Sequence, residues 1–189
     1  MRLYIVGGPG SGKSSLADAL AARSQLTALH LDDHWGRAFE GDEAGLPTGA
    51  AVAFREELIG EQLRRESWIV EGAEPPFVDA LAAASDLIVW CDVSFQVAAF
   101  RMIRRHVIAD LSRSNRFPGY GRLWRFLHSV RRRYYAPTVA DAHEWTKWTR
   151  GYVERAAPRY QDKLIRSRGG SNDREVGAVI GAADRLRTR

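Results

Sequence analysis

The octet GGPGSGKS, from Gly7 to Ser14, constrains this chain more than any other stretch. It follows Arg2 to Val6, a short apolar and partly β-branched run that reads as a buried strand stopped by glycine. It precedes Ser14 to Ser24, where Leu16, Ala19, Leu20 and Ala22 recur at helical spacing. Between such a strand and such a helix, the glycines let the backbone curl until several N–H groups surround a phosphate. The helix brings its positive end to the same point. The octet fits G-x-x-x-x-G-K-[ST] without departure. This assigns Gly8, Pro9, Gly10, Ser11, Gly12, Lys13, Ser14 and Ser15 to the phosphates of ATP or GTP, with Lys13 reaching the β- and γ-phosphates. The Ser14 hydroxyl is placed on Mg²⁺.

The rest of the chain repeats the alternation. Strands are expected at Leu26–Leu31, Trp68–Val70, Asp86–Asp92 and Lys163–Arg166. Helices are expected at about Ala50–Arg65, through Ala84, at Phe95–Leu111, Gly121–Tyr134, Val139–Arg155 and Asp173–Arg187. Arg37 to Gly49, Pro75-Pro76 and Ser112 to Tyr120 read as breaks. Strands alternating with helices imply an α/β fold. Here that means a five-stranded parallel sheet with helices on both faces, in one P-loop domain over 1–189. Such sheets bind ligands at the carboxyl ends of their strands. Gly7, Asp32, Glu71 and Asp92 all sit at expected strand ends and should meet at one edge.

Charge is distributed unevenly. Arg101 to Arg133 holds ten arginines, no lysine and one acid, Asp110, hence +9 of a net +5, leaving −4 on the remainder. A helical lid bearing arginines, about 101–133, would place positive charge around a moving phosphoryl group and exclude water on closing. The other reading of the same stretch is a nucleic-acid footprint. No run approaches the roughly 20 apolar residues that span a bilayer, and no membrane partner is expected. Met1 to Val6 is too short for the apolar core of a signal peptide. Cys91 is the single cysteine and lies in an apolar run, so a buried thiol and a cytoplasmic setting are expected.

Three further segments carry a resemblance. His30–Trp35 reads HLDDHW, Trp68–Gly72 reads WIVEG, and Asp86–Asp92 reads DLIVWCD. With the N-terminal phosphate loop, these resemble the adenylate-kinase-related proteins known as topology-modulation (FlaR-like) proteins, over roughly residues 1–133. Glu71 and Ala73 stand where that family usually has Asp and Asn. The resemblance implies a small ATP-dependent, Mg²⁺-dependent phosphotransferase. Lys13, Asp32, Arg101 and Arg105 would then be catalytic, and Ser14, Asp32 and Glu71 would form the metal shell. Asp33, Arg104, Arg55 (for an acceptor phosphate) and Trp35 (for an acceptor base) are further candidates. His30 and His34 have no metal-ligand partners at a recognisable spacing and read as structural or exposed. The partners expected are a nucleotide and a small-molecule acceptor. A nucleotide-dependent nucleic-acid-binding regulator and a slow ATPase are the alternatives.

Overall fold

The computed structural model describes residues 1–35, 49–72, 78–115, 118–135 and 150–188. The Pro75-Pro76 break, most of the expected 37–49 loop, and residues 139–149 of an expected helix lie outside them. So do the side chains of His34, Trp35 and Arg55.

Five strands form one sheet: β1 (Arg2–Gly7), β2 (Ala28–His30), β3 (Trp68–Glu71), β4 (Leu87–Cys91) and β5 (Leu164–Ser167). Their order is β2-β3-β1-β4-β5 and every pair is parallel. Parallel neighbours cannot be joined by hairpins, so each connection crosses a face of the sheet, carrying helices with it. Those helices are α1 (Lys13–Ser24), α2 (Leu31–Trp35), α3 (Gly49–Leu63), α4 (Val78–Ala84), α5 (Phe95–Leu111), α6 (Tyr120–Arg133), α7 (Arg150–Ala156) and α8 (Asp173–Arg187).

The pleat divides each strand between two cores. Leu3, Ile5, Ile69 and Val89 face α1 through Leu16 and Leu20, and α8 through Val176 and Val179. Tyr4, Val6, Val70 and Trp90 face the opposite way, onto Ile59 of α3, Leu81 of α4 and Val153 of α7. Full burial of one such aliphatic side chain contributes about 1.5–3 kcal/mol, so both faces must stay covered. A third cluster joins α5 to α6 through Ala98, Met102, Leu127, Val130 and Tyr134. On α6, Leu127 and Val130 are buried, while Phe126 is exposed.

Caps fix two helix starts. The Ser94 hydroxyl accepts the Val97 N–H at the head of α5, and the Asn172 side chain accepts the Glu175 N–H at the head of α8. Both helices run over the residues that their periodicity indicates.

β2 departs from expectation. It ends at His30, and Leu31 to Trp35 turns into a short helix with Asp32 and Asp33 in its first turn. Leu31 is pulled into the core, only 4% exposed, and two acids suit a helix N-terminus. The strand-end residue at this edge is therefore His30, with Asp32 two residues beyond it in the first turn of α2.

Candidate active site

Register sets the site. Gly7 lies opposite Cys91, and Ile5 opposite Glu71, which in turn pairs with His30. The carboxyl ends of β1, β2, β3 and β4 thus lie side by side, and the loop from Gly7 to Gly12 leaves from their middle. Gly10 and Gly12 have φ of 76° and 89°, left-handed values that a side chain would strain. The Ser11 N–H closes a turn onto the Gly8 carbonyl at 3.1 Å. α1 then starts at Lys13 with no side-chain cap and no acid in its first turn. Its positive end faces the loop uncompensated.

Lys13 is 8% exposed. Its Nζ donates to Asp32 Oδ2 at 2.6 Å and stands 3.0 Å from Glu71 Oε2. Burial by itself lowers the ammonium pKa, but the attraction of Asp32, then of Glu71, outweighs it, and the pKa is raised. The Ser14 hydroxyl donates to Glu71 Oε1 at 3.0 Å. Glu71 is thus a buried hub, 1% exposed, between Lys13, Ser14 and His30, whereas the Asp32 side chain is half exposed.

His30 belongs to the same cluster, against expectation. Its Nδ1 lies 2.7 Å from Glu71 Oε1 and its Nε2 lies 3.0 Å from Asp18 Oδ1. Burial opposes its charge, but the hydrogen bond to Glu71 and then the Asp18 carboxylate prevail, and its pKa is raised. Sequence reasoning searched for metal-ligand spacing and so passed over a histidine whose partners are carboxylates 12 and 41 residues away.

Arg101 is the arginine of the three that meets the loop. Its Nη1 donates to the Ser11 carbonyl at 2.6 Å and to the Arg168 carbonyl at 3.1 Å. Arg104 and Arg105 are exposed on α5. Two other neighbours of the loop were not anticipated. The Tyr134 ring presses on Gly8, where an added Cβ would come within 2.4 Å of Cε1. Burial pushes the Tyr134 hydroxyl up to about 12. The turn after β5 contributes the Gly170 N–H, which donates to the Gly12 carbonyl at 3.0 Å. A Gly-Gly pair directly after a strand was the available signal for that turn.

Asp92 does not point to the phosphate loop. The Arg150 guanidinium grips it with two hydrogen bonds, 2.7 and 3.0 Å, and Arg166 stands 3.8 Å away. Asp92 sits at the strand end, as expected, and serves there as an anchor for α7. Cys91 is buried, and burial pushes its thiol up to about 12, consistent with an inert side chain.

The hydroxyl of Ser14 and the carboxylates of Asp32 and Glu71 are hard oxygen donors gathered around one ammonium, which suits Mg²⁺. Among the described residues no group of three or more His, Cys, Asp or Glu could hold a metal by itself.

No protein-family model matches the sequence, and no curated protein matches it either. The resemblance to topology-modulation proteins is thus carried by the quoted motifs alone. Solved structures do match. A gluconokinase from Sinorhizobium meliloti 1021 aligns over 97% of this chain and 91% of its own, with 20% identity and a TM-score of 0.50. A shikimate kinase from Bacteroides thetaiotaomicron aligns over 100% and 96%, with 16% identity and a TM-score of 0.52. The parallel sheet with helices on both faces is therefore a fold that this chain shares with these two structures.

Proposed function

We propose that the protein is a Mg²⁺-dependent phosphotransferase that moves the γ-phosphoryl group of ATP to a hydroxyl or phosphate oxygen of a small molecule. The observation that carries this reading is the convergence of Lys13, Ser14, Asp32 and Glu71 where the glycine loop meets α1. Phosphoryl transfer asks for positioning and positive charge rather than covalent help, and this cluster has the parts for both. The fold shared with a gluconokinase and a shikimate kinase agrees with it, since both names describe kinases of small hydroxyl-bearing molecules.

The loop amides and Lys13 would hold the donor phosphates. Ser14, Asp32 and Glu71 would hold Mg²⁺, directly or through water, which when bound neutralises charge on the phosphate oxygens. Asp32, half exposed beside Lys13, would take the proton of an acceptor hydroxyl. That oxygen then forms its bond to the γ-phosphorus as the bond to the ADP oxygen breaks. Glu71, buried behind Ser14 and Lys13, fixes the orientation of both. Arg105, on the exposed side of α5, would reach the transferred group when the α5–α6 region closes as a lid.

The test is a screen of nucleosides, nucleotides and small metabolites for acceptor-dependent ADP release. Stoichiometric ADP formation tied to one acceptor supports the reading. ADP release unaffected by every acceptor would replace it with a plain ATPase.

A further inference from the structure

Helix α5 is apolar on two opposite sides. Its inner side carries Ala98 and Met102, buried against α6 and close to Gly10 of the phosphate loop. Its outer side carries Val97, Phe100, Ile103, Ile108 and Leu111, which are 43, 67, 41, 48 and 80% exposed. At 3.6 residues per turn, positions 97, 100, 104, 108 and 111 fall along one stripe, so Arg104 is the single charge on it. α6 adds exposed Trp124 and Phe126. Eight of the nine large apolar side chains exposed among the described residues belong to 97–126. Exposed Arg105, Arg113, Arg122 and Arg125 lie on the same two helices and the turn between them. The one acid, Asp110, is engaged by Asn115 and His106.

The occupant of this face must satisfy both its grease and its charge. A second copy, paired antiparallel through α5, would centre on Arg104 and set two guanidinium groups against each other in an apolar seam. Nucleic acid would answer the arginines and could stack on Phe100, Trp124 and Phe126, yet Val97, Ile108 and Leu111 would stay in water. Side chains as exposed as Phe100 and Leu111 gain most from an apolar medium that surrounds them on every open side. We propose that the α5–α6 region docks on an anionic lipid surface. α5 lies in the interface with Phe100, Ile108 and Leu111 among the upper acyl chains, and the flanking arginines meet headgroup charge. Arg104 reaches the headgroups along its own aliphatic stem. No helix among the described residues is long and apolar enough to cross a membrane, and lying in the interface requires none.

Flotation of the full chain with vesicles tests this independently of any phosphotransfer. Vesicles of phosphatidylcholine with about 30 mol% phosphatidylserine should bind the protein and pure phosphatidylcholine should not, with added salt weakening the association. Phe100→Asp and Leu111→Asp should each weaken binding on the order of tenfold, and Arg113→Glu with Arg122→Glu by a similar factor. Both apolar side chains are exposed, so melting temperatures should hold. If Phe100→Asp melts early, Leu111→Asp carries the comparison. The proposal is overturned if anionic vesicles do not bind, or if binding survives Phe100→Asp and Leu111→Asp together. It is equally overturned by a solution dimer that Leu111→Asp splits, or by duplex DNA that displaces the vesicles and binds the Asp variants undiminished.

Discussion

The Arg101 guanidinium donates to the carbonyl of Ser11 across 2.6 Å, tying α5 to the phosphate loop over 90 residues of sequence. The loop's carbonyls point outward where its N–H groups point inward, so Arg101 braces the cradle from behind. Its second bond, to the Arg168 carbonyl, adds the turn after β5 to the brace. A charged hydrogen bond of this kind is worth about 1.5–3 kcal/mol. Arg101→Ala should therefore weaken ATP binding on the order of tenfold, measured by calorimetry. Arg105→Ala should leave that affinity alone and lower only the rate of transfer. If Arg101→Ala keeps its ATP affinity and loses only turnover, Arg101 meets the transferred phosphoryl group, as the arginine spacing in the sequence suggests.

Lys13→Ala should abolish turnover, by a factor on the order of 10² to 10³ or more. It should also cost stability, because Lys13 is buried and neutralises Glu71, itself 1% exposed. Leaving that carboxylate short of a cation costs about 1–3 kcal/mol, readable by urea unfolding. Adding Glu71→Gln should return much of the lost stability without returning activity. A Lys13→Ala protein as stable as the parent would show that Lys13 meets phosphate alone.

The two carboxylates can be separated by their exposure. Asp32 is half exposed and can reach an acceptor, whereas Glu71 is walled in by Ser14, Lys13 and His30. Glu71→Gln should raise both the Mg²⁺ concentration needed for activity and the Kd for Mg-ATP. Asp32→Asn should raise the Mg²⁺ requirement if Asp32 shares the metal shell. If it removes turnover with the Mg²⁺ dependence unchanged, Asp32 is the base for the acceptor and no part of the metal site.

His30 and the Ser14 hydroxyl share Glu71 Oε1, at 2.7 and 3.0 Å. Its ring contacts the carboxylates of Glu71 and Asp18, so any effect of His30 on the nucleotide is expected to run through Glu71. His30→Ala should weaken Mg-ATP binding several-fold while ATP binding without Mg²⁺ changes little. His30→Asn, which keeps a donor toward Glu71, should restore part of the difference. Equal losses with and without Mg²⁺ would reduce His30 to a packing residue.

Much of this site was legible in the sequence because it depends on local chemistry. Gly7 to Ser14 specifies its own backbone, and the apolar runs ending at Gly7, Glu71 and Cys91 place those residues on one sheet edge. Partners separated by long stretches of chain were not legible. The sequence places Asp92 at the edge, but only the fold delivers Arg150 to hold it. The one-residue difference at the C-terminal end of β2 had a tertiary cause: Leu31 could extend the strand or turn into the core, and the core took it. Arg101, Arg104 and Arg105 stand at i, i+3 and i+4, a spacing that puts them on one side of a helix. That spacing could not indicate that the Ser11 carbonyl would be waiting for the first of them alone.

Gly169 and Gly170 provide a paired test of how the loop is held. Both have left-handed backbones, φ 63° and 96°, so alanine at either site carries about 1–2 kcal/mol of strain. Their surroundings differ. A Cβ at Gly169 would lie 2.2 Å from the Ser11 carbonyl oxygen and 3.1 Å from the Gly12 carbonyl carbon, both backbone atoms of the phosphate loop. A Cβ at Gly170 has nothing nearer than Asn172 Nδ2 at 3.9 Å. Gly169→Ala must therefore push the loop, stretch the Gly170 N–H to Gly12 carbonyl bond and disturb the amides meant for phosphate. Its ATP affinity should fall on the order of tenfold or more, while Gly170→Ala binds ATP normally and only melts earlier. Equal affinities in the two variants, at equal loss of stability, would mean that the turn after β5 packs beside the loop without setting its geometry.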